Sequence, residues 1–123
     1  MRFIHTADWH LGRLFFGRHL TNDQAHVLDE LVRLARDARA EIVVIAGDVY
    51  DRAVPPVEAV ELFDEVLSRL LLEEKLKVIY IAGNHDSAAR LGFGSRLLAG
   101  GGVFVAGQLC ADAPPIVLED AHG

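Results

Sequence analysis

Three short clusters of carboxylate, imidazole and amide side chains carry whatever chemistry this sequence performs: Asp8-Trp9-His10, Gly47-Asp48-Val49-Tyr50-Asp51 and Gly83-Asn84-His85-Asp86. Oxygen donors mixed with imidazole suit a divalent cation such as Mn²⁺ or Mg²⁺, and a chain with one cysteine has no thiolate cluster for a structural zinc. Asp8 and His10 stand two apart, so in an extended segment both point the same way and chelate one ion. Gly47 and Gly83 let the backbone turn sharply beside a ligand. Each cluster alone has an ordinary reading. An Asp after a strand is often a turn residue or helix N-cap, and Gly-Asn-His-Asp is compatible with a plain β-turn. All three in order, each closing a predicted strand, point to a shared metal site.

The elements that must position these groups follow from hydrophobic periodicity. Near-continuous apolar runs at 3–5, Ile42–Ala46 and 78–82 read as strands buried on both faces. Residues 21–38 carry Val27, Leu28, Leu31, Val32, Leu34 and Ala35 at helical spacing, and Thr21 with Gln24 predicts a capping box at the start. Pro55-Pro56 opens a second helix through Val60, Phe63, Leu67 and Leu71, because proline in a first turn sacrifices no hydrogen bond. A short helix at 95–99, then Gly100-Gly101-Gly102, leads into a strand at Val103–Ala106. Strand–helix alternation implies a parallel α/β sheet with right-handed crossovers, whose strand C-termini share one edge. The segments after Thr6, Ala46 and Ala82 should therefore meet in space.

The bulk properties narrow the setting. A chain of 123 residues makes one domain or part of one, and 51% hydrophobic with 24% charged residues is a globular balance. No apolar stretch approaches the roughly 18 residues of a membrane span. Cys110 cannot form an internal disulfide, which fits a reducing cytoplasm. The net charge of −6 and the dispersed Arg13, Arg18, Arg33, Arg36 and Arg39 define no basic stripe for nucleic acid. Two bound cations would add about four positive charges where a phosphate sits, so an anionic polymer is not excluded.

The set Asp-x-His, Gly-Asp-x-x-Asp and Gly-Asn-His-Asp resembles that of the calcineurin-like metallophosphoesterases. Within that superfamily three stretches resemble the SbcD-type DNA nuclease subunits. They are His5-Thr-Ala-Asp8-Trp-His10-Leu-Gly12, Ala46-Gly-Asp48-Val-Tyr-Asp51 with Pro55-Pro56 beyond, and Ala82-Gly-Asn84-His85-Asp86-Ser87. The resemblance runs from Met1 to about Leu98. It implies that Asp8 and His10 hold a first metal, Asp48 bridges two, and Asn84 serves the second. It further implies that His85 acts on the phosphate or leaving oxygen as acid or hydrogen-bond donor, with Asp86 orienting that imidazole and Asp51 supporting the bridge. The cofactors implied are two divalent cations, Mn²⁺ first and Mg²⁺ as the other candidate. The activity implied is exonuclease with endonuclease activity in break repair and recombination. The partners implied are DNA, an SbcC-like coiled-coil ATPase and a second nuclease subunit. An alternative within the superfamily is a phosphoesterase for cyclic nucleotides or other small phosphoesters.

The family pattern also includes three further histidines, two of them in Gly-His-x-His, and none of these is present here. Residues 1–123 are accordingly expected to be the N-terminal portion of the domain, truncated, with the second covering sheet largely missing. Such a chain alone should bind metal weakly and be inactive. Of the other histidines, His19 and His26 are expected at the surface, His5 in the core or near the site, and His122 in a loose tail. Trp9 is expected to brace its loop and Tyr50 to pack.

Overall fold

In the computed structural model, which describes residues 1–123, four strands form one parallel sheet. β1 (Phe3–Thr6), β4 (Ile42–Ala46), β5 (Lys77–Ile81) and β6 (Val103–Ala106) lie side by side in that order. Phe3 pairs with Ile42, Ile42 with Lys77, and Val78 with Val103. A separate two-stranded hairpin, β2 (Leu14–Phe15) and β3 (Arg18–His19), stands after β1 and turns through Phe16 and Gly17. The connections are α1 (Thr21–Asp37), α2 (Val57–Ser68) and a pair of short helices, α3 (Ala88–Leu91) and α4 (Ser95–Gly101).

Both long helices form because their apolar residues recur on one stripe. Leu28, Val32 and Ala35 are the buried face of α1, and Ala59, Leu62, Phe63 and Val66 that of α2. α2 runs on through one π-helical turn, Arg69–Glu73, which carries Leu70 into the same core. These residues cover Val43, Ile45, Val78, Tyr80 and Val103, the side chains that the register places on one face of the sheet.

Burial of the strands on both faces does not hold. Each successive strand is added on the same side of the last, and right-handed crossovers in one direction put every helix on one face. The opposite face keeps Ile42 buried but leaves Phe3, His5 and Ile81 exposed. β1 is an edge strand with no fully buried residue, so His5 lies at the surface and not in the core. The capping box also fails: the α1 N-cap is Leu20, with no side-chain hydrogen bond, and Gln24 is engaged elsewhere. The remaining strand and helix boundaries agree with the sequence reading to within about two residues.

Candidate metal centre

The first loop, Asp8 to Gly12, leaves β1 and runs beside the second loop as an irregular extension of the parallel ladder. Asp8 N donates to Gly47 O, His10 N to Asp48 O and Leu11 N to Val49 O, while Asp51 N donates to Leu11 O. The segment is not extended as the spacing argument supposed. Asp8, His10 and Gly12 have φ of 56°, 48° and 85°, so alternate residues are left-handed. Asp48 is left-handed too, at φ 49°. Such positions cost of order 1–3 kcal/mol each and persist only where surrounding contacts over-determine them. Gly12 meets this demand as glycine, and a Cβ there would lie 2.7 Å from Pro56 Cδ, which is why the loop sits tight against the start of α2.

Those contacts are specific. Gln24, in the first turns of α1, donates through Nε2 to the Trp9 carbonyl (3.1 Å) and the His10 carbonyl (2.9 Å), and its Oε1 accepts from Gly12 N (3.3 Å). Trp9 braces the same loop: its indole N–H donates to Thr6 Oγ1 and its ring meets Phe63 edge-on. Phe63 also packs against Tyr50 and Tyr80, so one aromatic cluster supports the first two loops from below. Burial pushes both tyrosine hydroxyls up to about 12.

At the top of this support, His10 Nε2 lies 4.0 Å from Asp8 Oδ1 and 3.8 Å from Asp48 Oδ2. These separations are too long for hydrogen bonds. They suit donors standing roughly 2.1 Å from a common cation. Asp8 is open to solvent, His10 is half-buried, and Asp48 is the one buried charged residue of the chain. The other ring nitrogen, His10 Nδ1, is buried without a hydrogen-bond partner; Asp51 Oδ1 is 3.3 Å away but poorly aligned. A buried ring nitrogen left unpaired beside the Asp51 carboxylate fits a site built for a cation, and the oxygen-rich donor set fits Mn²⁺ or Mg²⁺.

The second and third loops cross glycine on glycine. A Cβ on Gly83 would lie 2.1 Å from Asp48 Oδ1, and one on Gly47 would lie 3.1 Å from Gly83 Cα. Asp48 Oδ1 accepts from His85 N (2.9 Å), so the proposed bridging carboxylate also fixes the third loop. Asn84 sits between Gly83 and His85, exposed, with no hydrogen bond to its amide. His85 meets His10 edge-on with ring centroids 4.9 Å apart. A second trio, His10, Asp51 and His85, likewise brings three donor atoms within 4.8 Å.

Asp86 does not orient the His85 ring. Its carboxylate accepts from Val49 N, Tyr50 N and Gly83 N, at 3.1, 2.8 and 2.8 Å, and so ties the second loop to the third. The His85 ring is held instead by the Asp51 carbonyl, 2.8 Å from Nδ1. A carbonyl only accepts, so Nδ1 carries the hydrogen and Nε2 is the free nitrogen of the neutral ring. Asp8, His10 and Asp48 thus converge at one corner, Asp51 and His85 border it, and Asn84 is exposed in the third loop just before His85. Gln24 was missed as a site residue because its sequence pattern, Thr21 followed by Gln24, fits a helix start equally well. His26 and His19 are exposed, as expected.

Residues 1–120 match the model of the calcineurin-like phosphoesterase family. Over 96 residues, 78% of this chain, the sequence is 44% identical to the SbcD component of the nuclease SbcCD of Staphylococcus saprophyticus. The matched region covers 26% of that protein's length.

Proposed function

This chain belongs to the calcineurin-like phosphoesterase family, and we propose that it carries the phosphodiester-cleaving centre of an SbcD-type DNA nuclease. The observation that carries the reading is the corner formed by Asp8, His10 and Asp48 at the ends of two adjacent parallel strands, with His85 opposite. Asp8 and His10 would hold one divalent cation, Asp48 would share its carboxylate between two, and Asn84 would add a neutral oxygen to the second. Mn²⁺ is the proposed physiological ion, with Mg²⁺ as the other candidate. Divalent cations bound here supply water activation and neutralise phosphate charge. The protein's own groups do the rest. Asp48, anchored by His85 N and by the crossing glycines, keeps two loops at one separation. His85, with Nδ1–H fixed on the Asp51 carbonyl, presents Nε2 to a phosphate or leaving oxygen. In the imidazolium form that nitrogen donates a proton, a contribution of about 10²–10⁴ in rate.

The 44% identity to the SbcD component of an SbcCD nuclease supports DNA as the substrate, in break repair and recombination. By the same likeness we propose an SbcC-like ATPase as partner, a dimer of nuclease subunits, and a cytoplasmic setting. No helix is long and apolar enough to cross a membrane. Residues 1–123 are proposed to be the N-terminal portion of the domain. Asp8, His10 and Asp48 would gather one ion, while a second, left with Asp48 and Asn84, would need further ligands. Residues 1–123 alone are therefore expected to bind Mn²⁺ weakly and to leave DNA uncut. Linear duplex DNA with millimolar Mn²⁺, set beside an aryl phosphodiester, tests the reading on the protein its gene encodes in full. DNA cleavage that Asp48→Asn abolishes is expected. Turnover of the small ester with DNA untouched would transfer the assignment to small phosphoesters.

A further inference from the structure

We propose that Gln24 is a positioning residue of the metal centre, and that its carboxamide sets how tightly Asp8 and His10 take a cation. The inference rests on the reading of Asp8, His10 and Asp48 as ligands, and adds the residue that holds two of them in shape. Between Asp8 and Gly12 every second residue is left-handed, an arrangement that no ordinary ladder stabilises. Three of the loop's backbone groups converge on one side chain: the Trp9 and His10 carbonyls accept from Nε2, and Gly12 N–H donates to Oε1.

Only a carboxamide can fill this place. It combines two N–H donors and an acceptor in one plane, whereas a carboxylate cannot donate and an ammonium cannot accept. Glutamine also has the reach, since it stands on the helix and must span to the loop. Its own backbone is fixed, because Gln24 N donates to Leu20 O at 2.8 Å in the opening turn of α1. α1 is in turn anchored through Leu28, Val32 and Ala35 in the core. The chain of contacts therefore runs from a rigid helix, through one amide, to the peptide units that flank His10. A side chain that holds the peptides around a ligand acts on affinity through the geometry of that ligand, as partners of metal ligands commonly do.

The test compares Gln24→Met and Gln24→Glu with the parent, in the protein as its gene encodes it. Free Mn²⁺ is followed by electron paramagnetic resonance at a temperature where circular dichroism shows all three folded. Hydrogen exchange at Gly12 N–H provides a reading that involves no metal. Gln24→Met is expected to weaken Mn²⁺ binding about 10–100-fold and to speed Gly12 exchange. Gln24→Glu still accepts from Gly12 but cannot donate to the carbonyls. Its Gly12 exchange should stay slow while Mn²⁺ affinity falls about 10-fold, against the direction in which its added charge acts. A folded Gln24→Met with parental affinity would overturn the proposal. So would loss of folding in both variants, since the amide would then be a stability element only. A parent that binds no Mn²⁺ would instead remove the metal reading, and Gly12 exchange would still decide whether Gln24 holds the loop.

Discussion

The two sides of the centre are built differently. On the side of Asp8 and His10, the first loop is ladder-bonded to its neighbour, clamped by Gln24 and seated on the Trp9–Phe63–Tyr50 cluster. On the side of Asn84 and His85 the loop is exposed and depends on two carboxylates, Asp48 and Asp86, that reach across to backbone N–H groups. The first corner is thus preorganised by main chain and packing, and the second by charge-assisted hydrogen bonds. Substitutions should therefore separate cleanly: those near the first corner change metal affinity, and those near the second change rate or loop order.

Asp48 belongs to both sides and should give the largest effect. Asp48→Asn keeps an oxygen to accept from His85 N but loses the shared charge, so cleavage should fall to near background with the fold intact. Mn²⁺ titration and a DNA assay check it, and near-parental activity would remove the bridging role. His85→Ala should lower the rate by about two to four orders of magnitude with Mn²⁺ content unchanged. Loss of a bound ion by calorimetry would instead make His85 a ligand and blur the contrast.

Asp86→Ala should act on order and not directly on metal. It strands three N–H donors that now bond a carboxylate, so the denaturant midpoint should drop by the equivalent of about 3 kcal/mol. A change of only a few tenths would mean that the third loop is held by something other than this carboxylate. The smallest effect concerns the aromatic seat under the first corner. Tyr50 and Tyr80 are the two tyrosines of the chain, and burial raises both from 10.0 to about 12. The folded state favours their neutral forms, so this contribution is complete below pH 10 and is lost as pH rises toward 12. Tyrosinate absorbance should appear only near pH 12 in the folded protein. Appearance near pH 10 would show that water already enters beneath the loop.

Much of this was legible in one dimension. β4, β6 and the apolar stripes of α1 and α2 follow from hydrophobic period, because burial on one face repeats at the period of the element. The three strand-end clusters were legible because parallel strands deliver their C-termini to one edge. The Leu14–His19 hairpin was not, since Phe16 at φ 48° lacks the Asn or Asp that usually marks such a turn. The open face of the sheet followed from the expected lack of a second covering sheet and not from the strands themselves, because an apolar run on an edge strand reads like one on a buried strand.

In the sequence by itself, the resemblance of three motifs pointed to the family and to the candidate ligands, and strand–helix alternation to the one sheet edge where their loops meet. Only the tertiary structure decided who holds whom. Gln24 reads locally as a helix-start residue and Asp86 as a partner of its neighbour His85, yet both spend their hydrogen bonds on backbone from other loops. Sequence neighbours compete for a polar side chain on equal terms until the chain folds. Packing then fixes which unpaired N–H and C=O groups come within its reach, and pairing the buried ones outweighs the local alternative.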